Sequence, residues 1–256
     1  MSGGAAWLAG LISAGRRRTV TIDDSVGEAR GGVQSADVLA RHLVAVRAAL
    51  AEVPAGEPTV TVGGDCGVDL APVEAALSAF ENRLAVIWFD AHGDLNTPES
   101  SPSGAFHGMV LRALLGDGPE GLRPARSLSA DRVVLAGARS LDPGEQALVE
   151  SRGIRHLGVE QLADPGPLLA AVRATGAEAV YVHIDLDVLD PTVFPAVGTP
   201  EPGGLGVEEL VGAVRALTEE FTLAGLALTE YERAAAAGQE EAVLRRIVEG
   251  LFGAEQ

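Results

Sequence analysis

The residues of this chain best equipped for chemistry are acidic. The run "WFDAHGDLN" sets Asp90, His92 and Asp94 two residues apart, and "YVHIDLDVLDP" does the same with Asp185 and Asp187. Both runs continue strongly apolar stretches. Alternate residues of a strand share a face, so each set can aim two or more ligands at one point. Carboxylates buried together repel one another and favour protonation unless a cation sits among them. Four aspartates and a histidine leaving two apolar strands therefore ask for metal, and for two ions bridged by shared carboxylates. Asp190, ahead of Pro191, reads as a turn residue outside this set. The only cysteine, Cys66, follows "TVTVGGD" and admits three roles: nucleophile, metal ligand, or small apolar residue at a strand end. An acidic neighbourhood disfavours a free thiolate, which leaves ligand and buried bystander.

These residues need elements to hold them. Candidate strands are "TVTI" near Thr19, "TVTV" at Thr59, "RLAVIWF" from Arg83, "RVVLAGA" from Arg132, "AVYVHID" from Ala179 and "TLAGLAL" from Thr222. Helical stretches lie between them, such as "SADVLARHLVAVRAALAE" with Ser35 or Asp37 as cap. Several strands are apolar almost throughout, which predicts burial on both faces of a parallel sheet. The expected fold class is α/β, a three-layer α/β/α sandwich with a mostly parallel central sheet; a closed barrel is the lesser alternative. No linker or internal repeat divides the chain, so residues 1–256 read as a single domain. In open parallel sheets, sites form beyond the carboxyl ends of the strands. That directs attention to "NTPESSPSGAFHG" (96–108) and "PTVFPAVGTPEPGGLG" (191–206), which follow the two acidic motifs.

A net charge of −17 argues against nucleic acid as a partner, and Arg16 to Arg18 are too few to reverse it. One cysteine cannot form an internal disulfide, which suits a reducing compartment. The apolar stretch near the N-terminus precedes its positive residues, the wrong order for a secretory signal, and is too short to span a bilayer. The expectation is a cytoplasmic protein with no membrane partner.

The motifs "GGDC", "DAHGDLNTP", "SGAFHGM", "DPGE", "HIDLDVLDP" and "GTPEPGGL" occur in the order and approximate spacing of the ureohydrolase family. The chain resembles that family, which contains arginase, agmatinase and formimidoylglutamase, from about Val60 to Glu230, with the arginase pattern matching best. The resemblance implies two Mn2+ ions. Asp90 and Asp185 would bridge them, His92 and Asp187 would complete one site, and Asp94 with Cys66 the other. The family carries a histidine where this chain has Cys66. That favours the ligand role, although soft sulfur prefers zinc or copper(I) to manganese. Asp94 would also count among the catalytic residues. His107 matches the proton-shuttle histidine and Glu230 the carboxylate that grips the guanidinium. Asn96 and Ser103 match contacts to the substrate carboxylate, while Asp142 and Glu145 match contacts to its amino group. "DPGE" also reads as a helix start, and the two roles are compatible. Thr199 is a polar contact or a turn residue. His183 reads as a core or supporting residue in preference to a metal ligand.

Hydrolysis of L-arginine or a close analogue to ornithine and urea is the implied activity, on a small guanidino amino acid. Ala105 stands where the family has an asparagine, which removes one carboxylate contact. The alternatives are hydrolysis of N-hydroxy-L-arginine to hydroxyurea, and a single-metal binding protein without catalysis. A homo-oligomer, trimer or hexamer, is the family expectation, although the chain ends soon after "EEAVLRRIVEGLFG" without a long tail to lock one.

Overall fold

The almost wholly apolar runs form strands that are covered on both faces. The computed structural model describes residues 2–13, 15–23, 25–233 and 238–253. Its strands are β1 (Thr59–Val62), β2 (Leu84–Phe89), β3 (Val133–Ala136), β4 (Arg155–Leu157), β5 (Ala179–Asp185) and β6 (Thr222–Thr229). They make one sheet in the order β1-β6-β5-β2-β3-β4, with every pairing parallel. The helices are α1 (Ser2–Leu11), α2 (Ala36–Leu50), α3 (Leu70–Phe80), the short α4 (Val110–Arg112), α5 (Pro143–Arg152), α6 (Pro165–Arg173), α7 (Val207–Glu220) and α8 (Gln239–Phe252).

Strand alternation sorts the core into two layers. Ala85, Ile87 and Phe89 of β2 and Val180, Val182 and Ile184 of β5 pack against α1, α6, α7 and α8. Leu84, Val86 and Trp88, with Ala179 and Tyr181, pack against α2, α3, α4 and α5. The expected three-layer sandwich is the fold observed, with a fully parallel sheet.

Two details depart from the sequence reading. The stretch "TVTI" near Thr19 forms no strand: it runs as irregular chain, Ile22 is 44% exposed, and the neighbouring Asp23 N–H donates to His42 Nε2 of α2 at 2.8 Å. Its β-branched residues pair with no strand of the sheet, and β-propensity without packing does not make a strand. Conversely, β4 is only three residues, "RHL", at the sheet edge, too short for a periodicity to register.

The topology also fixes where chemistry belongs. From β2 the chain crosses to β3 and β4 on one side, and from β5 it crosses to β6 on the other. The carboxyl ends of β2 and β5 therefore flank the point at which the winding direction reverses, where open α/β sheets leave a crevice. Among the described residues, no helix is long and apolar enough to cross a membrane.

Candidate active site

The pairing of β2 with β5 brings the two acidic motifs together. Register sets Trp88 beside His183 and Phe89 beside Ile184, so Asp90 and Asp185 leave adjacent strands at the same level. Asp185 is the last residue of β5, and Asp187 sits on a 3-10 turn, Leu186–Val188. Asp90, His92 and Asp94 are not on a strand, because β2 stops at Phe89. Their convergence comes from a tight loop in which Asp94 takes a positive φ of 52°. Glu230, just past β6, has φ 65°. For residues with a Cβ, such backbone costs of order 1–3 kcal/mol and persists only where surroundings enforce it. Gly93 is demanded by close packing, since a Cβ there would lie 2.7 Å from Leu141 and 3.0 Å from Glu145 Oε1.

Hydrogen bonds aim each carboxylate. Asp90 Oδ1 accepts from His92 N at 2.6 Å and Oδ2 from the Trp88 indole at 3.0 Å. Asp185 Oδ1 accepts from Asp187 N at 2.7 Å and Oδ2 from the Cys66 thiol at 3.1 Å. Asp187 Oδ1 accepts from Ala91 N at 3.0 Å, while Oδ2 accepts from Thr199 Oγ1 at 3.2 Å and lies 3.0 Å from His92 Nδ1. Among the described residues, Asp94 Oδ2 is buried with no hydrogen-bond partner, and so is His183 Nε2. An unsatisfied buried polar atom costs about 1–3 kcal/mol.

The electrostatics tell the same story. Burial, followed by repulsion from neighbouring aspartates, pushes Asp94 and Asp185 well above the ordinary carboxyl range and raises Asp187. Asp90 moves the other way: burial opposes its ionisation, but the hydrogen bond and charge of His92 prevail. For His92, burial works against protonation, yet Asp187 and Asp90 together hold it up to about 11. Without a cation, the cluster retains protons. Its donor atoms are close enough to share ions instead, with every atom of a set within 4.8 Å of the others: Asp90, His92 and Asp187; Cys66, Asp185 and Glu230; and Cys66, Asp90, Asp94 and His183.

Cys66 opens the short turn after β1, fully buried, and its thiol is pushed up by burial first and then by Asp185, Asp94 and Asp90. A thiol whose ionised form is opposed by burial and by three carboxylates is not activated as a nucleophile. Gly63 allows the turn to fold back, since a Cβ there would meet Val68 at 2.3 Å. Glu230 closes the other side: its N–H donates to Gly64 O at 2.7 Å, and its Oε1 accepts from Cys66 N at 3.3 Å. Half-buried His107, at the start of a 3-10 turn, has Nδ1 3.4 Å from Glu230 Oε1. That contact raises the imidazole above its ordinary value against the opposing effect of burial.

The remaining predicted residues lie farther out. Asn96 is buried, donates to Asp142 Oδ2 at 2.9 Å and accepts from Ser100 Oγ at 2.8 Å. Ser103 is exposed at the rim, where its hydroxyl accepts from Ala105 N at 3.1 Å. Asp142 precedes α5, with Pro143 as the first helical residue. Both oxygens of buried Glu145 are occupied by backbone donors, Leu95 N at 2.8 Å and Asp142 N at 2.9 Å. Its carboxylate therefore ties the Asp94 loop to α5. Asp190 is the turn residue expected: its carboxylate accepts from Thr192, Gly203 and Gly204 and is held down to about 2, chiefly by the Thr192 hydroxyl.

Three contributors escaped the sequence reading. Asp69 bonds His183, Trp88 orients Asp90, and Arg139 donates to the carbonyls of Gly137, Asp187, Val188, Glu201 and Pro202, lashing three loops together. Trp88 was detectable as the residue two before Asp90. An acidic residue within the apolar "VDLAPV" was the signal for Asp69. Arg139 carried none, because its partners are main-chain atoms.

Residues 16–251 match the family model of the arginase family. This chain belongs to the arginase family. Over 181 residues, 67% of this chain, it is 35% identical to an arginase of Staphylococcus aureus (strain COL), and the match spans only 59% of that protein. The arginase of Bacillus caldovelox is 34% identical over 235 residues, covering 82% of this chain and 77% of the relative. The crystal structure of Entamoeba histolytica arginase in complex with L-ornithine aligns with a TM-score of 0.84 at 25% identity, covering 93% of this chain and 83% of that one. In this arginase-family chain the acidic cluster thus occupies the sheet's switch point, with His107 and Glu230 beside it.

Proposed function

We propose that this protein hydrolyses the guanidinium C–N bond of L-arginine or a close analogue, giving ornithine and urea, with two divalent cations held by the acidic cluster. The observation that carries this reading is the buried set of four aspartates at the switch point, whose Asp94 Oδ2 has no partner and whose donors stand within ion-sharing distance. That donor set fits a cation pair. Asp90, His92 and Asp187 make an oxygen-rich pocket suited to manganese, while Cys66 stands within ion-sharing distance of Asp90 and Asp94 on one side and of Asp185 and Glu230 on the other. When bound, the ions supply the Lewis acidity that makes water a nucleophile at neutral pH.

The chain's own residues do the rest. Glu230 accepts the planar guanidinium in paired, charge-assisted hydrogen bonds. His107, half-buried and protonated more readily because of Glu230, delivers a proton to the departing amine. Asp94 combines its ligand role with orienting the attacking water. Asn96 and Ser103 face the substrate carboxylate and Asp142 its amino group. Glu145 acts through Asp142, whose N–H it holds. Thr199 steadies Asp187.

The test is an amidine panel with chelated and manganese-loaded protein: arginine, N-hydroxyarginine, agmatine, guanidinobutyrate and formiminoglutamate. Metal-dependent release of urea and ornithine from arginine is expected. Preferred release of hydroxyurea from N-hydroxyarginine moves the assignment to that analogue, and no turnover of any member refutes the hydrolase.

A further inference from the structure

Among the described residues, one buried nitrogen at the cluster has no partner. His183, on β5, is fully buried, and its Nδ1 lies 2.7 Å from Asp69 Oδ2. Asp69 is itself fully buried and accepts the Tyr181 hydroxyl on Oδ1 at 2.9 Å. A carboxylate at Nδ1 selects the tautomer with the proton there, leaving Nε2 as a lone pair. That lone pair meets no donor, and it lies within 4.8 Å of ligand atoms of Cys66, Asp90 and Asp94. The ring cannot turn away: Trp88 stacks on it with centroids 3.5 Å apart and planes 10° from parallel. The same indole donates to Asp90 Oδ2, so one residue orients two of the four ligand groups.

We infer that His183 Nε2 is the nitrogen ligand of a divalent-metal pocket completed by Cys66, Asp90 and Asp94. The inference rests on the metal-dependent reading above and adds a ligand to it. The carboxylate–imidazole arrangement is the one by which proteins fix a ligand histidine and raise its basicity. A spread within 4.8 Å is one that an ion with bonds of about 2.0–2.3 Å can bridge. One imidazole, one sulfur and two carboxylates form a softer set than Asp90, His92 and Asp187. The pocket therefore favours zinc or cobalt(II) over manganese. The imidazole absent from position 66 is delivered from β5, across the sheet from the loop that carries Cys66.

The primary test uses the unaltered chain, labelled with nitrogen-15 in its five histidines and loaded with cadmium-113. Direct cadmium–nitrogen coupling at Nε2 of His183 is expected, and a loaded protein lacking it overturns the inference. His183→Gln assigns the signal and should weaken zinc binding at that pocket at least ~100-fold by calorimetry. Asp69→Asn should weaken it ~10–100-fold, as loss of a ligand's supporting hydrogen bond does. Retention of wild-type zinc affinity by folded His183→Gln refutes the assignment. Coupling at His183 without turnover of any amidine supports the inference and removes the hydrolase instead. A chain that binds no divalent ion removes both.

Discussion

Replacing Asp94 with Asn should flatten the pH dependence of stability in the metal-free protein. Asp94 is 4% exposed, its Oδ2 has no partner among the described residues, and burial and then Asp90 raise its carboxyl well above 3.8. Because the folded value exceeds the unfolded one, the native state keeps a proton that the unfolded chain releases. The stability this proton contributes is complete below the unfolded value and drains away as pH rises through the folded one. Across that window, opening near 3.8, each pH unit removes about 1.4 kcal/mol per such group. Asn cannot titrate, so the variant's slope should be shallower by about 1.4 kcal/mol per pH unit. At about 2–4 °C per kcal/mol for a chain of this size, that is ~3–6 °C per pH unit in Tm. The Asn amide inherits the unpartnered position at a constant penalty of about 1–3 kcal/mol, so the slope and not the intercept is diagnostic. With metal the wild type gains instead. An ion at 100 times its Kd stabilises wild type by about 2.7 kcal/mol, and the variant forfeits most of that at the Asp94 pocket. Calorimetric melts of chelated protein at successive pH values upward from 3.8, repeated with metal, measure both effects. Parallel slopes for the two proteins would refute the electrostatic account of the cluster.

Two further substitutions probe the supports. Trp88→Phe removes the donor to Asp90 Oδ2 and should weaken metal binding ~10–100-fold, read by titration calorimetry; unchanged affinity would mean that Asp90 needs no such anchor. Glu145→Gln sets an amide NH2 against one of the two backbone donors, Leu95 N or Asp142 N, that the carboxylate accepts. The expected loss is about 1–3 kcal/mol in urea unfolding, and an unshifted midpoint would assign those N–H groups to other acceptors.

The parallel sheet was legible because burial on both faces writes long apolar runs, as in "LAVIWF" and "AVYVHID". The failures at "TVTI" and "RHL" mark the limits of the same signal: the first has the residues without a neighbour, the second a neighbour without enough residues. The acidic motifs were legible as ligand-type residues at strand ends. The reason for their spacing was not, since Asp90, His92 and Asp94 converge through a loop with a left-handed Asp94 and not through strand alternation. Glu145 shows a second limit, because only the folded positions of Leu95 and Asp142 reveal that both its oxygens are taken.

By itself, then, the sequence determined the residue types and the local elements: apolar strands, acidic exits, a proline-started helix at Asp142, and a cysteine after β1. Those follow from short-range periodicity and side-chain chemistry. The tertiary structure alone decided that β2 lies beside β5, and hence that two motifs some ninety residues apart form one cluster. It alone set the Asp69 carboxylate behind His183 Nδ1 and left Nε2 without a partner among the described residues. Strand order and ring orientation arise from packing between distant segments, and no local pattern encodes them.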